Sequence, residues 1–250
     1  MTEALGWRQT LMLYGLFALV VMPPMLLLLR GKPPGWDAMG AARKASRDGG
    51  ARFGSLAENL PQIMLCLAIF CCCVAMAMPL LHIAAHTQDI GYHSHDGAVL
   101  LSLIMAISFV GRLGMGALAD RIGGFRAMFL ASGLQASGLL FFFPFDGIGM
   151  LYVGAVMFGL GFGGLVPLYA VVLRSIYAAH TMGWRVGAIL LFGAVGMAVG
   201  GQAAGALFDW MATYRLAFAI GLAFNIANLM LIYSVWRLTG GPGRRRIVVA

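Results

Sequence analysis

The sequence predicts an all-α integral membrane protein with seven transmembrane helices, and three observations support this. Of the 250 residues, 61% are hydrophobic and only 10% are charged, with a mean hydropathy of +0.87. A water-soluble domain is nearer half apolar and a quarter charged. The apolar residues form seven long runs, and the basic residues fall between these runs on alternate sides. Lipid must therefore surround most of the chain.

Each of the seven apolar runs has the roughly 20 residues that a helix needs to cross the hydrocarbon core of a bilayer. We number the helices α1 to α7 in chain order and predict them at residues 9–29, 60–85, 97–119, 126–145, 149–173, 185–208 and 214–236. A secretory signal peptide is not predicted at α1, because Glu3 and a single arginine precede it and no small-residue cleavage site follows.

The basic residues predict the orientation of these helices. Only Arg8 and Arg215 lie on one side of the predicted membrane. The other 15 of the 17 lysines and arginines share the opposite side, at positions 30, 32, 43, 44, 47, 52, 112, 121, 126, 174, 185, 237 and 244–246. Basic connections stay in the cytoplasm, which places the N-terminus outside and the C-terminus in the cytoplasm. Charges spread between apolar runs do not form a nucleic-acid-binding face, and the short loops favour a bacterial inner (plasma) membrane.

Composition also predicts how the chain is divided. Residues 31–58 carry Pro33, Pro34 and Gly35 and much of the positive charge, which is typical of a linker. The linker separates a single helix at 1–30 from a six-helix bundle at 59–238, and a basic tail follows at 239–250.

A glycine-rich run that ends in an Asp-Arg pair connects α3 to α4. Its distinctive residues are Gly111, Gly114, Gly116, Asp120, Arg121 and Gly123. The run resembles the cytoplasmic signature loop of the major facilitator superfamily of secondary transporters. In that superfamily a long loop joins two six-helix halves, and the later signature loop follows two helices after it, as it does here. The resemblance implies that α1 ends the N-terminal half and that α2 to α7 form the C-terminal half.

The signature loop is expected to gate the cytoplasmic side. The glycines allow a neighbouring helix to approach closely. We expect Asp120 and Arg121 just past the end of α3, where Asp120 would cap α4 or pair with a cation on a nearby helix end. The alternative is a topology anchor, in which Arg121 and Arg126 hold the loop in the cytoplasm.

Arg112 is the leading candidate for a substrate contact. It lies inside α3, one turn after Ser108. An arginine at the centre of a membrane helix costs roughly 2.5–3.5 kcal/mol on insertion scales, so such a residue faces a polar cavity or a partner. Its guanidinium can hold a carboxylate through two parallel hydrogen bonds. The alternatives are that Arg112 snorkels to the headgroups or pairs with Asp120.

The end of α2 sharpens the resemblance. The segment from Met78 to Gly91 resembles the corresponding part of monocarboxylate and oxalate/formate type carriers, which move small organic anions with a proton or in exchange for another anion. Their anion-binding arginine matches Arg112. Many eukaryotic members also carry an aspartate one turn earlier for proton coupling. This chain has Ser108 there, so the resemblance does not carry that proton route over.

Two histidines follow on the same helix. His82 and His86 are four residues apart, on one helical face, and Asp89 lies one turn further on. Imidazoles titrate near neutral pH, so a role in substrate binding, gating or proton handling is one hypothesis, and a solvated helix end is the other. No third ligand has suitable spacing, and consecutive cysteines at 71–73 point in different directions around a helix. No metal site and no disulfide are predicted.

The remaining motifs exclude other functional classes. The glycine clusters lack the lysine of a nucleotide-binding loop, and no nucleophile lies beside the histidines, so we expect neither a cofactor nor an enzyme. The expected partners are the bilayer, a small organic anion, and a missing N-terminal half or a second copy of the chain. Two alternatives are a non-transporting truncated protein or half-transporter subunit, and drug or metabolite efflux by the same fold. We expect four polar residues at membrane depth to bond to neighbouring helices: Tyr169, Gln202, Asn225 and Asn228.

Overall fold

The computed structural model describes residues 2–28 and 56–240. Most of the predicted linker and the last ten residues of the predicted basic tail lie outside the described residues. Contacts divide the chain into residues 1–52 and residues 53–250, and each unit is described by itself. In the first unit α1 covers Thr2–Leu28, with Pro23 and Pro24 near its end and an apolar stretch at Met12–Met25.

The second unit is a bundle of six helices that are long and apolar enough to cross a membrane. They are α2 (Leu56–Asp89), α3 (Ser94–Ile122), α4 (Gly124–Phe142), α5 (Ile148–Ile176), α6 (Met182–Met211) and α7 (Arg215–Leu238). The prediction of an all-α membrane fold, with these helices in this order, is confirmed.

The helix ends differ from the prediction for two physical reasons. Most helices continue past their apolar runs, and α2 keeps helical hydrogen bonding to Asp89. Side-chain polarity marks where a helix leaves the hydrocarbon, whereas backbone hydrogen bonds decide where it ends. Helix α4 instead ends at Phe142, three residues earlier than predicted, because Pro144 has no N–H with which to continue the helical hydrogen bonds.

Helices α2 and α5 form the centre of the bundle. Helix α2 packs against α3, α6 and α7, while α5 packs against α3 and α4. Small residues allow the close crossings that membrane helices favour. A Cβ added at Gly196 of α6 would lie only 2.5 Å from the carbonyl oxygen of Phe70, and Gly200 is equally tight against Val74 of α2. These two glycines, four residues apart on α6, therefore allow α2 and α6 to pack closely.

Polar side chains inside the bundle bond to one another across helices. The Tyr169 hydroxyl on α5 donates to Asn228 Oδ1 on α7 over 2.6 Å. Asn228 Nδ2 donates to Ser132 Oγ on α4 over 2.9 Å, and Ser132 donates in turn to Asn225 Oδ1 over 3.1 Å. The prediction that Tyr169, Asn225 and Asn228 bond to neighbouring helices is confirmed, whereas Gln202 is exposed.

Connections at the end of the bundle where α2 ends are tied together. The Tyr92 hydroxyl donates to the Asp146 carbonyl over 3.0 Å and accepts the Ile148 N–H over 3.1 Å. The Asp146 carboxylate pairs with Arg215 at the start of α7. These contacts join the α2–α3 connection, the α4–α5 connection and α7.

Candidate functional site

Arg112 lies on α3 with an exposed side chain, and one of its three nitrogens is engaged. Its Nε donates to the carbonyl oxygen of Gly163 on α5 over 3.2 Å. The pairing with Asp120 that the sequence left open is not formed. Within the described residues no partner meets the two terminal nitrogens, Nη1 and Nη2. The guanidinium is therefore anchored at Nε and open at its outer edge.

A close crossing of α3 and α5 brings the Gly163 carbonyl within reach. A Cβ on Gly163 would overlap the carbonyl of Ser108, and one on Gly111 would lie 2.9 Å from the Cα of Leu160. The Nε atom is near the backbone end of an arginine side chain, so its acceptor must belong to a helix in backbone contact. The glycines supply that contact by carrying no side chain.

Ser108 lies one turn before Arg112 in the same crossing. It is buried, and its hydroxyl donates to the carbonyl of Met105 in its own helix over 2.7 Å. The structure thus brings Ser108 and Arg112 together at one crossing. The Ser108 proton is used inside α3, which leaves only its oxygen lone pairs for another group.

His82 and His86 lie near the end of α2 in different environments. His82 is half-buried, and its Nε2 lies 3.0 Å from the carbonyl oxygen of Gly201 on α6. Because a carbonyl only accepts, this contact requires the proton on Nε2. His86 is 2% exposed, and its ring meets the rings of Phe218 and Tyr214 edge-on at 5.1 and 6.2 Å between centroids. A solvated helix end is therefore wrong for His86.

The His86 imidazole also lacks a hydrogen-bond partner. Its Nε2 is buried, and no group in the described part of the chain bonds to it. The neighbouring Thr87 hydroxyl donates back to the carbonyls of Ile83 and Ala84. Burial of an unpaired polar nitrogen is unfavourable, so His86 is a buried polar group that the packing does not satisfy.

The two predicted groups of substrate-binding residues lie apart. Helix α3 begins at Ser94 and α2 ends at Asp89, so both ends lie at the same end of the bundle. At 1.5 Å per residue, Arg112 is about 16 Å further than His82 from that end. Arg112 contacts α5, whereas His82 contacts α6. The structure therefore shows two clusters rather than one pocket.

The signature loop has a different geometry from the predicted one. Helix α3 continues to Ile122, so Asp120 and Arg121 occupy its last turn rather than a loop beyond it. Asp120 does not cap α4, because Gly123 occupies the cap position without a side-chain hydrogen bond. Gly123 has φ +91°, a backbone conformation that favours glycine, and this residue alone reverses the chain. The short connection lets α3 keep helical hydrogen bonds up to the turn.

Most of the motif's side chains face outward. Asp120 and Arg121 are exposed and make no hydrogen bond or ion pair with the described residues. Gly111 is packed on α5, as the predicted close approach requires, but Gly114 and Gly116 have no atom within 4 Å of an added Cβ. Gly111 therefore allows α3 to pack on α5, whereas Gly114 and Gly116 lie on an open surface of α3.

All four cysteines of the chain lie on α2. Cys66, Cys71, Cys72 and Cys73 are free thiols. Within residues 2–28 and 56–240, no three His, Cys, Asp or Glu side chains converge as metal ligands. The Cys72 thiol donates weakly to Gln135 Oε1 over 3.6 Å, which joins α2 to α4.

Comparison with known families agrees with this architecture. The sequence matches the family description Major Facilitator Superfamily over residues 1–201 and again over residues 63–247. The chain belongs to the major facilitator superfamily. The resemblance drawn from the signature loop and the helix order is thereby confirmed, and the family places the chain with transport proteins of the membrane rather than with enzymes.

Relatives of this major facilitator chain carry transporter names. It is 29% identical to MFS-type transporter opdF of Penicillium oxalicum over 71% of this chain and 43% of that protein. It is 26% identical to MFS-type transporter pynF of Aspergillus niger over 84% of this chain and 47% of that protein. It is 29% identical to monocarboxylate transporter 13 of Rattus norvegicus over 60% of this chain and 36% of that protein. The chain spans less than half the length of these three relatives.

Proposed function

We propose that this major facilitator chain forms part of a secondary transporter that moves a small organic anion by alternating access, and that Arg112 binds the anion. The observation that carries the proposal is the exposure and the hydrogen bonding of the Arg112 guanidinium. This guanidinium lies on the outer surface of α3, a helix long and apolar enough to cross a membrane, with Nε engaged and no partner for the outer edge among the described residues. An unpaired cation in that position needs a polar partner.

A monocarboxylate fits this requirement. The two terminal nitrogens can hold both oxygens of a carboxylate in parallel hydrogen bonds, and the anion neutralises the charge that lipid would penalise. A relative named as a monocarboxylate transporter supports the same substrate class. Binding and translocation of such an anion need no cofactor and no catalytic group on this chain.

The surface around Arg112 supports a second unit beside the bundle. Helices α3 and α6 are the least buried of the six spans. Their outer surfaces carry Arg112 and Gln202, which lipid would solvate poorly. We infer that an N-terminal half, or a second copy of this chain, covers this surface and completes the anion site. On this proposal 1–30 ends the N-terminal half, 31–58 links the halves, 59–238 is the C-terminal half and 239–250 is a cytoplasmic tail.

The signature loop would then gate the cytoplasmic side. Asp120 and Arg121 present exposed charges in the last turn of α3, and Gly114 and Gly116 leave room for a helix to approach. Contacts between these residues and the second unit would close that side, and their loss would open it. The proposed orientation, with an outside N-terminus and a cytoplasmic C-terminus, follows from the positions of the basic residues. The bacterial inner membrane remains a prediction from the short loops.

The histidines would act near the outer end of the path. Along the helix axes His82 lies about 16 Å and His86 about 22 Å from Arg112, so they would not bind the same carboxylate at the same time. His86, whose buried Nε2 has no partner among the described residues, and His82, bonded to α6, would respond to a proton or to a substrate entering from outside. Anion uptake that increases with an imposed pH gradient would indicate coupling to a proton. Uptake that does not depend on the gradient would indicate exchange for a counter-anion.

The test is uptake of radiolabelled pyruvate into proteoliposomes. The chain is purified in mild detergent from its own host, so that a companion half stays bound, and its mass is measured before reconstitution. Arg112→Gln is expected to abolish uptake. Arg174→Gln removes one exposed positive charge from the last turn of α5 and serves as the matched control, with uptake retained. Undiminished uptake by Arg112→Gln would reject the assignment.

The same preparation separates the alternatives. A monomer of the chain alone that takes up no anion indicates a non-transporting protein and contradicts the proposal. Uptake of lipophilic drugs that survives Arg112→Gln, without uptake of pyruvate, indicates efflux of drugs or metabolites instead. Pyruvate uptake that requires Arg112 supports the proposal, and the measured mass then shows whether a companion half or a second copy completes the carrier.

A further inference from the structure

The acceptor of the Arg112 hydrogen bond has an unusual place in its own helix. In an α-helix the carbonyl of one residue accepts the N–H of the residue four positions later. Four positions after Gly163 is Pro167, which lies inside α5 and has no N–H. The Gly163 carbonyl therefore has no ordinary helical donor, and Arg112 Nε occupies it over 3.2 Å.

We propose that Pro167 is a positioning residue for the anion site: it frees the Gly163 carbonyl, and that carbonyl holds the Arg112 guanidinium with its two terminal nitrogens facing outward. The proposal deepens the anion-binding role of Arg112 and rests on that role. Pro167 itself is exposed on α5 and need not touch the anion. It acts through the backbone of its own helix.

Gly163 meets two separate requirements of this arrangement. Its missing side chain allows the backbone of α5 to touch α3, where any Cβ would overlap the carbonyl of Ser108. Its carbonyl is the one that a proline at position 167 leaves unbonded. Close approach alone would bring Arg112 to a carbonyl that already has a donor, and a freed carbonyl alone would be out of reach of Nε.

The expected benefit is pre-organisation. A free arginine side chain loses considerable rotamer entropy when it binds a ligand, and a planar guanidinium that is already anchored loses less. Engagement of Nε fixes the plane of the group and excludes the side-on geometry that uses Nε. The remaining edge, Nη1 and Nη2, is the end-on fork that matches the two oxygens of a carboxylate. The carbonyl thus selects one of the two ways in which an arginine can bind the anion.

Pro79, a second proline inside a helix, provides a comparison for Pro167. Pro79 lies inside α2 and likewise removes the donor for the carbonyl four residues earlier, that of Ala75. No arginine hydrogen bond to the Ala75 carbonyl occurs among the described residues. Pro79→Ala therefore restores a helical N–H without affecting an anion contact, and it is the matched control for Pro167→Ala.

The first test is a double-mutant cycle on stability, measured in detergent with the full chain and no anion. Pro167→Ala returns an N–H to the Gly163 carbonyl, and this second donor competes with Arg112 Nε for the oxygen and weakens their contact. The effect of Arg112→Met on the melting temperature is expected to be smaller in the Pro167→Ala background than in the wild type, by a few degrees. Combined with Pro79→Ala, the same substitution should have an additive effect. Additivity with Pro167→Ala would overturn the proposed contact.

The second test is the dissociation constant of pyruvate, from titration calorimetry on wild type, Pro167→Ala and Pro79→Ala. Loss of a charge-assisted hydrogen bond that orients the guanidinium should raise this constant about tenfold in Pro167→Ala and leave it unchanged in Pro79→Ala. Equal binding by wild type and Pro167→Ala would overturn the positioning role while the anion site stands. Absence of pyruvate binding to the wild type would overturn the proposed substrate instead, and the stability cycle would still decide the contact.

Discussion

The hydroxyl of Tyr169 lies 2.6 Å from Oδ1 of Asn228, and both residues are fully buried at the centre of the bundle. Asn228 also donates to Ser132, so both ends of its amide are bonded. Asn225, one turn earlier on α7, accepts one bond from Ser132, and its Nδ2 has no partner among the described residues. Two equally buried asparagines of one helix thus differ in how well the bundle satisfies them.

The asparagine pair gives the first prediction. Asn228→Ala should destabilise the bundle more than Asn225→Ala, because it removes two hydrogen bonds and leaves the Tyr169 hydroxyl without an acceptor. Interhelical hydrogen bonds in membranes average roughly 0.6 kcal/mol, so we expect a difference of about 1 kcal/mol. The two substitutions delete the same atoms, which removes the volume effect from the comparison. The measurement is the free energy of unfolding in mixed micelles titrated with SDS, and equal values would contradict the assigned network.

The histidines give a second matched pair. His82→Leu removes the hydrogen bond to the Gly201 carbonyl, whereas His86→Leu removes a buried nitrogen that has no partner in the described part of the chain. An unsatisfied buried polar group costs about 1–3 kcal/mol, so its replacement offsets the loss of ring contacts. We expect His82→Leu to lower the free energy of unfolding by about 1 kcal/mol more than His86→Leu does. The reverse order, measured by the same SDS titration, would mean that His86 has a favourable polar partner in the membrane.

The sequence predicted the fold well because membrane spans depend on composition over long windows. Long apolar runs and alternating charge determine α2 to α7 without any knowledge of contacts. Arg112 could also be found, because an arginine inside an apolar run is costly wherever it points. The positions of Asp120 and Arg121 could not, because a single glycine, Gly123, ends α3 and backbone geometry rather than polarity decides where that happens.

The sequence does not predict which residues of other helices contact the site residues. Gly163 lies 51 residues after Arg112 on a different helix, and the rings that bury His86 lie in α7 (Phe218) and at its N-cap (Tyr214). One signal was available for Gly163, since Pro167 marks the carbonyl four residues earlier as free. Pro167 thus predicts that the Gly163 carbonyl can accept a hydrogen bond. Only the packing of α3 on α5 shows that Arg112 Nε is the donor.

The opposite end of the bundle from the histidines yields a third prediction. The Arg185 guanidinium is buried and lies 3.6 Å from the ring centroid of Tyr177, whose hydroxyl accepts the N–H of Gln62 over 3.1 Å. Burial raises the pKa of Tyr177 above its ordinary value, so this hydroxyl stays neutral. Tyr177→Phe keeps the ring beneath the cation, and Tyr177→Leu does not. A desolvated cation–π contact is worth about 2 kcal/mol, so the leucine variant should unfold more easily by roughly that amount.

The comparison in this third case is between two variants that both lack the hydroxyl. The difference between Tyr177→Leu and Tyr177→Phe therefore isolates the aromatic ring, while wild type against Tyr177→Phe reports all contacts of the hydroxyl, with Gln62 and with Arg185. The readout is again the free energy of unfolding in SDS-titrated micelles. If phenylalanine and leucine proved equivalent at this position, the buried charge of Arg185 would be stabilised instead by the Trp184 ring, 4.5 Å away, and by its contacts with Thr181 and Asn59.

The glycines of the signature loop separate packing within the bundle from gating. Gly111→Ala should lower the melting temperature by several degrees, because its Cβ would lie 2.9 Å from the Cα of Leu160 and force α3 away from α5. Gly114→Ala should leave the melting temperature unchanged, since nothing lies within 4 Å of its Cβ. If Gly114 forms the gate against a second unit, the same variant should reduce pyruvate uptake. Gly133→Ala, equally open but on α4, is the control that should change neither quantity; retained uptake in Gly114→Ala would remove Gly114 from the gate.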